Sequence, residues 1–365
     1  MPRSRLSPDV FALPAERLRE GYYADAYFNA ARGVLEAGDL HPRVTMQVFQ
    51  KHGDVLLGGV DEALAMLRLG AGRFVGSGAE RRWAPGWNGL AVHALHDGDE
   101  LDSMETVLTV EGDYGLFAHL ETLYLGVLSR RTLVATNVRR AVRAAAGKPV
   151  LFFPARFDHY AAQSGDGYAA FVAGAAGVST DAQAAWWGGR GIGTVPHALI
   201  AACGGDTVEA TRRFADVSGP GVNVTALVDF DNDCVATSLA CARALGERLW
   251  AVRLDTSETM VDRSLWSDMG ASRPTGVTPE LVRRVREGLD AEGYSSVRIV
   301  VSGGFDVERI RRFEGAGVPV DAYGVGSSLL RGSTDFTADV VLVDGRPCAK
   351  VGRRYRPNPR LERVD

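Results

Sequence analysis

The rhythm of apolar and polar positions changes near residue 149. Before it the pattern is mixed. Asp61 to Leu69 carries apolar residues at helical spacing, with Asp61 placed as an N-terminal cap or first-turn acid. Leu90 to Leu95 and Thr106 to Val110 read as strands. A leucine-rich stretch from Leu116 to Leu128 opens a long helical region that runs on to Ala146 and stops at Gly147-Lys148-Pro149. After Pro149, short apolar runs alternate with amphipathic stretches. The runs are Val150–Phe153, Gly177–Ser179, Gly193–Val195, Val224–Val228, Trp250–Leu254, Val297–Val301 and Ala322–Val325, and Pro279 to Asp290 is a clear helix among the stretches between them. Repeated strand–helix units predict a parallel sheet, closed into a barrel or open and doubly wound. Val340–Val343 then meets Asp344-Gly345, a hairpin-type turn, with Cys348 to Val351 expected to return antiparallel. The tail, Arg353 to Asp365, has two prolines and many charges and reads as surface or frayed chain.

Length and composition narrow the class. A chain of 365 residues exceeds the size at which one core usually stops growing, so a large domain with a smaller one is expected. Hydrophobic residues at 46% and charged residues at 24% fit a soluble globular protein. The net charge of −4 points to neither a nucleic-acid nor a membrane partner. No segment is apolar enough to span a bilayer, and Met1 to Leu13 lacks the apolar centre of a secretory signal. Cys203, Cys234, Cys241 and Cys348 form no Cys-x-x-Cys pair, which disfavours structural zinc and fits a reducing cytoplasm. The lysines are only Lys51, Lys148 and Lys350. Glycine is abundant, 43 residues, and much of it lies at the ends of apolar runs.

Parallel barrels collect their functional groups where strands end, and here the strand ends are polar. Phe153-Pro154-Ala155 leads to Arg156, Ser179 to Thr180, Pro196 to His197, Val228 to Asp229 and Val252 to Arg253 and Asp255. The last two runs end in Ser302-Gly303-Gly304 and Gly324-Val325-Gly326-Ser327. Glycine lets an anion reach backbone amides, and a following helix start adds partial positive charge. Two such turns in consecutive terminal units match the layout of a barrel phosphate site, although each alone can be a simple turn. Asp229 and Asp255, on neighbouring loops, can hold Mg²⁺ together with substrate phosphates or accept ribose hydroxyls. Asp231 and Asp233 suit helix capping better. Arg156 and Arg253 can clamp phosphate or carboxylate, or pair with a loop acid. His197 can be a base, a metal ligand or a nucleophile, with Asp229 placed to orient it.

In this order the segments resemble the nicotinate phosphoribosyltransferases, among the type II phosphoribosyltransferases, from Gly21 to about Val351. The resemblance is most specific in Gly193 to Leu199 (Gly-Thr-Val-Pro-His-Ala-Leu), Val252 to Thr256 (Val-Arg-Leu-Asp-Thr), Val301 to Asp306 (Val-Ser-Gly-Gly-Phe-Asp) and Tyr323 to Ser328 (Tyr-Gly-Val-Gly-Ser-Ser). Gly21 to Phe28 resembles the family's Asp-x-Tyr signature at Asp25 and Tyr27. It implies an incomplete parallel α/β barrel at 149–336. It also implies an N-terminal α+β sandwich at 1–148, completed by C-terminal strands at 337–365.

The resemblance further implies that ATP phosphorylates His197 with support from Asp229. Arg253, Asp255 and Ser302 hold the phosphoribosyl group, and Gly303, Gly304, Gly324, Gly326 and Ser327 cradle its 5-phosphate. Phe153 and Arg156 meet the base, Tyr27 reaches it across a homodimer interface with Asp25 alongside, and Thr180 varies with the base bound. The expected substrates are a pyridine base, 5-phosphoribosyl-1-pyrophosphate and ATP, with Mg²⁺ near Asp229 and Asp255. The family's cysteine-rich C-terminal zinc module is missing, so zinc is not expected, and Asp158 and His159 match no family pattern. Three rivals stand beside this expectation. One is a quinolinate phosphoribosyltransferase, disfavoured by the scarcity of lysine. Another is an enzyme for nicotinamide or a further heteroaromatic base. The last is a catalytically silent nucleotide sensor.

Overall fold

The computed structural model describes residues 4–219, 221–270 and 274–365, in two compact units. One combines Met1–Thr136 with Gly332–Asp365, and the other is Asn137–Arg331.

The first unit is built on a six-stranded antiparallel sheet, in the order Arg346–Pro347, Phe336–Val343, Arg43–Gln50, Thr106–Asp113, Ala91–Ala94, Glu362–Val364. Val48, Val92, Val107 and Val110 project from it into a core shared with Leu64 and Leu67 of the helix Val60–Gly70. That helix starts after Gly59, held at φ +86, with Asp61 and Glu62 in its first turn where they favour the helix dipole. Arg43–Gln50, paired on both sides, is buried along nearly its whole length, and Val44, Met46 and Val48 alternate in it with Arg43, Thr45 and Gln47, a period-two signal that the sequence reading passed over.

Two expectations for the C-terminus are corrected. The hairpin return begins earlier than expected, at Arg346–Pro347, tight against Asp344-Gly345, and Cys348 N continues it to Val341 O at 3.2 Å. The tail is not frayed: Glu362–Val364 pairs antiparallel with Ala91–Ala94, and Asn358 Nδ2 donates to the Thr106 carbonyl at 2.8 Å. Edge pairing satisfies backbone groups that a charged, proline-containing tail would otherwise leave to water.

The second unit carries six parallel strands, ordered Thr225–Leu227, Ala251–Leu254, Arg298–Val301, Ala322–Val325, Val150–Phe152, Gly177–Val178. The last strand in sequence pairs with the first, which is how a barrel begins to close. Gly193–Val195, expected as a strand, is extended but unladderred chain across the remaining seam. Ile192 N donates to Val178 O at 2.7 Å on one side and Val195 N to Thr225 O at 3.2 Å on the other. Pro196, which has no N–H, offers no donor to extend the second contact. The result is an incomplete parallel barrel. The helix Pro279–Ala291 shows how helices seat on it: Thr278 caps its N-terminus, Pro279 presets the first turn, and Leu281, Val282, Val285 and Leu289 are buried. Each such side chain contributes roughly 1.5–3 kcal/mol on burial. No helix among the described residues is long and apolar enough to cross a membrane.

Candidate active site

Loops at the C-terminal ends of four adjacent strands enclose a cavity of about 560 Å³. Phe153, Arg156, Arg253, Asp255, Ser302, Gly303, Gly304, Gly324, Gly326 and Ser327, all singled out from the sequence, line it. Parallel pairing brings them together: Arg253 and Val300 are register partners, as are Val325 and Phe152, so the residues just beyond each strand share one rim.

A polar chain runs along the floor. Ser302 is buried, and its Oγ donates to Asp255 Oδ1 at 2.7 Å. Arg253 Nη1 donates to Ser302 Oγ at 3.3 Å and lies 3.7 Å from Asp255 Oδ2. Arg253 Nε is buried without a hydrogen-bond partner. The two glycine turns differ in kind. Gly303 and Gly304 sit at φ +81 and +69, the left-handed region that disfavours side chains. Gly324 is required by space, because a Cβ there would lie 2.9 Å from Phe153 Cδ2 and Cε2.

His197 opens the helix His197–Ala202 after Pro196. Its Nε2 lies 2.9 Å from Asp229 Oδ1. The histidine side chain is 45% exposed and the acid only 7%. Burial pushes the Asp229 carboxyl above its ordinary range, His197 opposes the rise, and nearby Asp255 adds to it. Neither His197 nor Asp229 lines the cavity. Asp233 caps the helix Cys234–Leu245 by accepting from Ala236 N at 3.2 Å.

Thr180 is not a cavity residue. Its hydroxyl caps the helix Asp181–Ala184 and donates to Gln163 Oε1 at 2.8 Å. Tyr27 lies in the first unit, 64% exposed, with its hydroxyl donating to Asp25 Oδ2 at 3.4 Å; Thr122 Oγ1 donates to the same oxygen at 2.9 Å. Asp158 and His159 build a turn: Asp158 Oδ1 accepts from His159 N at 2.6 Å and His159 Nδ1 from Ala161 N at 3.3 Å. The hollow they line, about 10 Å³, is too small for a base.

Sequence reasoning passed over Glu258, Ser328 and Arg331, which also line the cavity. Arg331 stands five residues beyond Gly326, a cation close enough to a glycine turn to have been noticed.

The chain is similar to known proteins to different extents. The family model for the quinolinate phosphoribosyl transferase N-terminal domain matches residues 25–132. A nicotinate phosphoribosyltransferase of Mycobacterium tuberculosis is 36% identical over 262 residues, which is 69% of this chain and 53% of that protein. The chain thus spans about half the length of that curated relative. The crystal structure of the nicotinate-nucleotide pyrophosphorylase from Pyrococcus furiosus superposes with a TM-score of 0.78 at 32% identity, over 96% of this chain and 84% of that one. The chain belongs to the type II phosphoribosyltransferases. Human nicotinic acid phosphoribosyltransferase shares the type II fold, with a TM-score of 0.63 at 19% identity over 90% of this chain and 76% of that one.

Proposed function

We propose that this type II phosphoribosyltransferase joins nicotinate to the phosphoribosyl group of 5-phosphoribosyl-1-pyrophosphate. The products are nicotinate mononucleotide and pyrophosphate, as in cytoplasmic NAD salvage. The observation that carries the reading is the convergence of both glycine turns, the Arg253–Ser302–Asp255 chain and the Phe153–Arg156 wall on one cavity. In this reading the 5-phosphate rests on Gly303, Gly304, Gly324, Gly326 and Ser327, and Asp255 takes the ribose hydroxyls. Phe153 stacks on the pyridine ring, with Arg156 beside its carboxylate. As pyrophosphate leaves C1, positive charge builds on the ribose and negative charge on the leaving group. Arg253, with a free Nε, meets that negative charge.

Among the described residues no group of three or more His, Cys, Asp or Glu is arranged to hold a metal. Mg²⁺ needs only one or two carboxylates when substrate phosphates complete its shell, so Asp255 with Asp229 fits it as a substrate-borne ion. When bound, it neutralises phosphate charge.

The His197–Asp229 pair supports coupling to ATP. With Nε2 engaged by the carboxylate, Nδ1 is the nitrogen left to take a phosphoryl group, and Asp229 stabilises the charge that forms. The proposed dimer would bring Tyr27 and Asp25 of one copy to the base site of another.

The match to the quinolinate N-terminal domain favours a second reading, a quinolinate enzyme that also releases carbon dioxide. Against it, no lysine lines the cavity. Lys148 precedes the strand Val150–Phe152 and pairs with Glu314 at 2.8 Å, while Lys51 and Lys350 belong to the first unit. Pyrophosphate release from the donor with nicotinate, nicotinamide and quinolinate, each with and without ATP, tests the reading. Turnover highest with nicotinate and raised by ATP is expected; turnover on quinolinate with carbon dioxide release would overturn it.

A further inference from the structure

Glu258 follows the strand Ala251–Leu254 by four residues and reaches across to the first glycine turn. A Cβ built on Gly304 would overlap Glu258 Oε1, and would lie 3.1 Å from Arg309 Nη1. The space that this glycine leaves open is therefore taken by one of the chain's own carboxylates. Arg309 holds it loosely, Nη1 to Oε1 at 3.5 Å, with Glu258 68% exposed. The same guanidinium is fixed more firmly by the carbonyls of Gly303 and Val277, at 2.7 Å each. Burial lowers the Arg309 pKa, Glu258 and Asp306 oppose the fall, and neighbouring Arg312 adds to it.

Glu258 also lines a second cavity, of about 450 Å³, together with Thr275, Thr278 and Arg312. Among the described residues the Arg312 guanidinium has no hydrogen-bond or ion-pair partner. One side chain thus borders two cavities, and both the committed Arg309 and the free Arg312 line the second.

From this geometry we infer that Glu258 is a built-in occupant of the phosphate cradle. Its carboxylate stands in for the donor's phosphate against Gly304, and moves into the neighbouring cavity toward Arg312 when that phosphate binds. The inference rests on the reading of the glycine turns as the donor's phosphate site. A carboxylate and a phosphate brought to the same turn oppose each other, since like charges a few ångströms apart repel. An exposed pair at 3.5 Å holds weakly, so the displacement is easy. Glu258 then lowers donor affinity by competition and keeps other small anions out of the empty site.

The test is calorimetric titration of the full chain with inorganic phosphate and with 5-phosphoribosyl-1-pyrophosphate. If the unaltered chain binds neither, the cradle itself fails and this inference falls with it. If it binds, Glu258→Gln, which keeps shape and removes charge, is expected to bind both about three- to tenfold more tightly. Unchanged or weaker binding overturns the inference alone, because a Glu258 that held ribose hydroxyls or a metal would be missed. Arg312→Met is expected to weaken donor binding in the unaltered chain and to change nothing in the Glu258→Gln background. Equal weakening in both overturns the proposed destination of the carboxylate.

Discussion

His197 Nε2 and Asp229 Oδ1 lie 2.9 Å apart, joining a half-exposed ring to a largely buried acid. A buried carboxylate is costly without a partner, and His197 is the group that offsets the upward push on Asp229. Replacing His197 with alanine should raise the Asp229 titration further, followed by carboxyl NMR. The same variant should lose ATP hydrolysis and keep some phosphoribosyl transfer. ATP hydrolysis at the original rate would remove His197 from the coupling.

Asp229→Asn keeps the shape and removes the charge that stabilises a phosphorylated or protonated His197. ATP hydrolysis should drop about a hundredfold or more. The transfer step measured without ATP should drop much less. An equal drop in both rates would place Asp229 in the transfer step itself.

Ser302 is the middle of the chain from Arg253 to Asp255. Ser302→Ala leaves a part-buried Asp255 oxygen without its 2.7 Å donor. Such a loss costs about 1–3 kcal/mol, or roughly a five- to hundredfold weaker affinity for the donor. Titration calorimetry with 5-phosphoribosyl-1-pyrophosphate measures it, and unchanged affinity would show that this network does not hold the donor.

Gly324→Ala would press a methyl group against the Phe153 ring at 2.9 Å, and against Ser302 Cβ at 3.2 Å. The ring is the softer neighbour, so it should move. The KM for the base should then rise more than the KM for the donor. The reverse order would mean that Gly324 serves the phosphate and not the ring.

His119 predicts acid sensitivity. It is fully buried beside Arg32, its Nε2 lies 3.0 Å from the Gly70 carbonyl, and Nδ1 has no partner. Burial, with help from Arg32, pushes it down to about 4 from an unfolded value of 6.5. A lowered folded pKa gives stability that is complete above pH 6.5 and lost as pH falls toward about 4, roughly 3 kcal/mol in all. Glu121, pushed up to about 7 by burial, acts in the opposite sense, its contribution being present at low pH and lost as pH rises through about 7. The difference between the unaltered chain and His119→Asn in urea unfolding isolates the histidine: it should shrink from pH 7 to pH 4.5. A constant difference would show that His119 is not buried in its neutral form.

Much of the second unit was legible because its strands are short, apolar and followed at once by polar or glycine residues, a pattern fixed by parallel pairing. Ser302, Gly303 and Gly304 could be placed at a rim from that pattern alone. Gly193–Val195 misled, because an apolar run says nothing of whether a neighbour offers a ladder. Arg43–Gln50 was legible in the alternation of Val44, Met46 and Val48 with polar neighbours and was passed over, whereas Glu362–Val364 was not legible, because edge pairing needs no apolar pattern. Thr180 as a helix cap was legible in its spacing from Gln183 and was passed over, whereas Glu258 over Gly304 depends on where a loop folds back, which no local spacing encodes.

The most direct measurement is mass-spectrometric detection of nicotinate mononucleotide from purified chain, nicotinate and 5-phosphoribosyl-1-pyrophosphate, run beside Arg253→Gln. The account predicts product from the unaltered chain and a loss of about a hundredfold or more in the variant, since Arg253 faces the charge that develops as pyrophosphate leaves. No product from nicotinate, or equal product from both proteins, would contradict it.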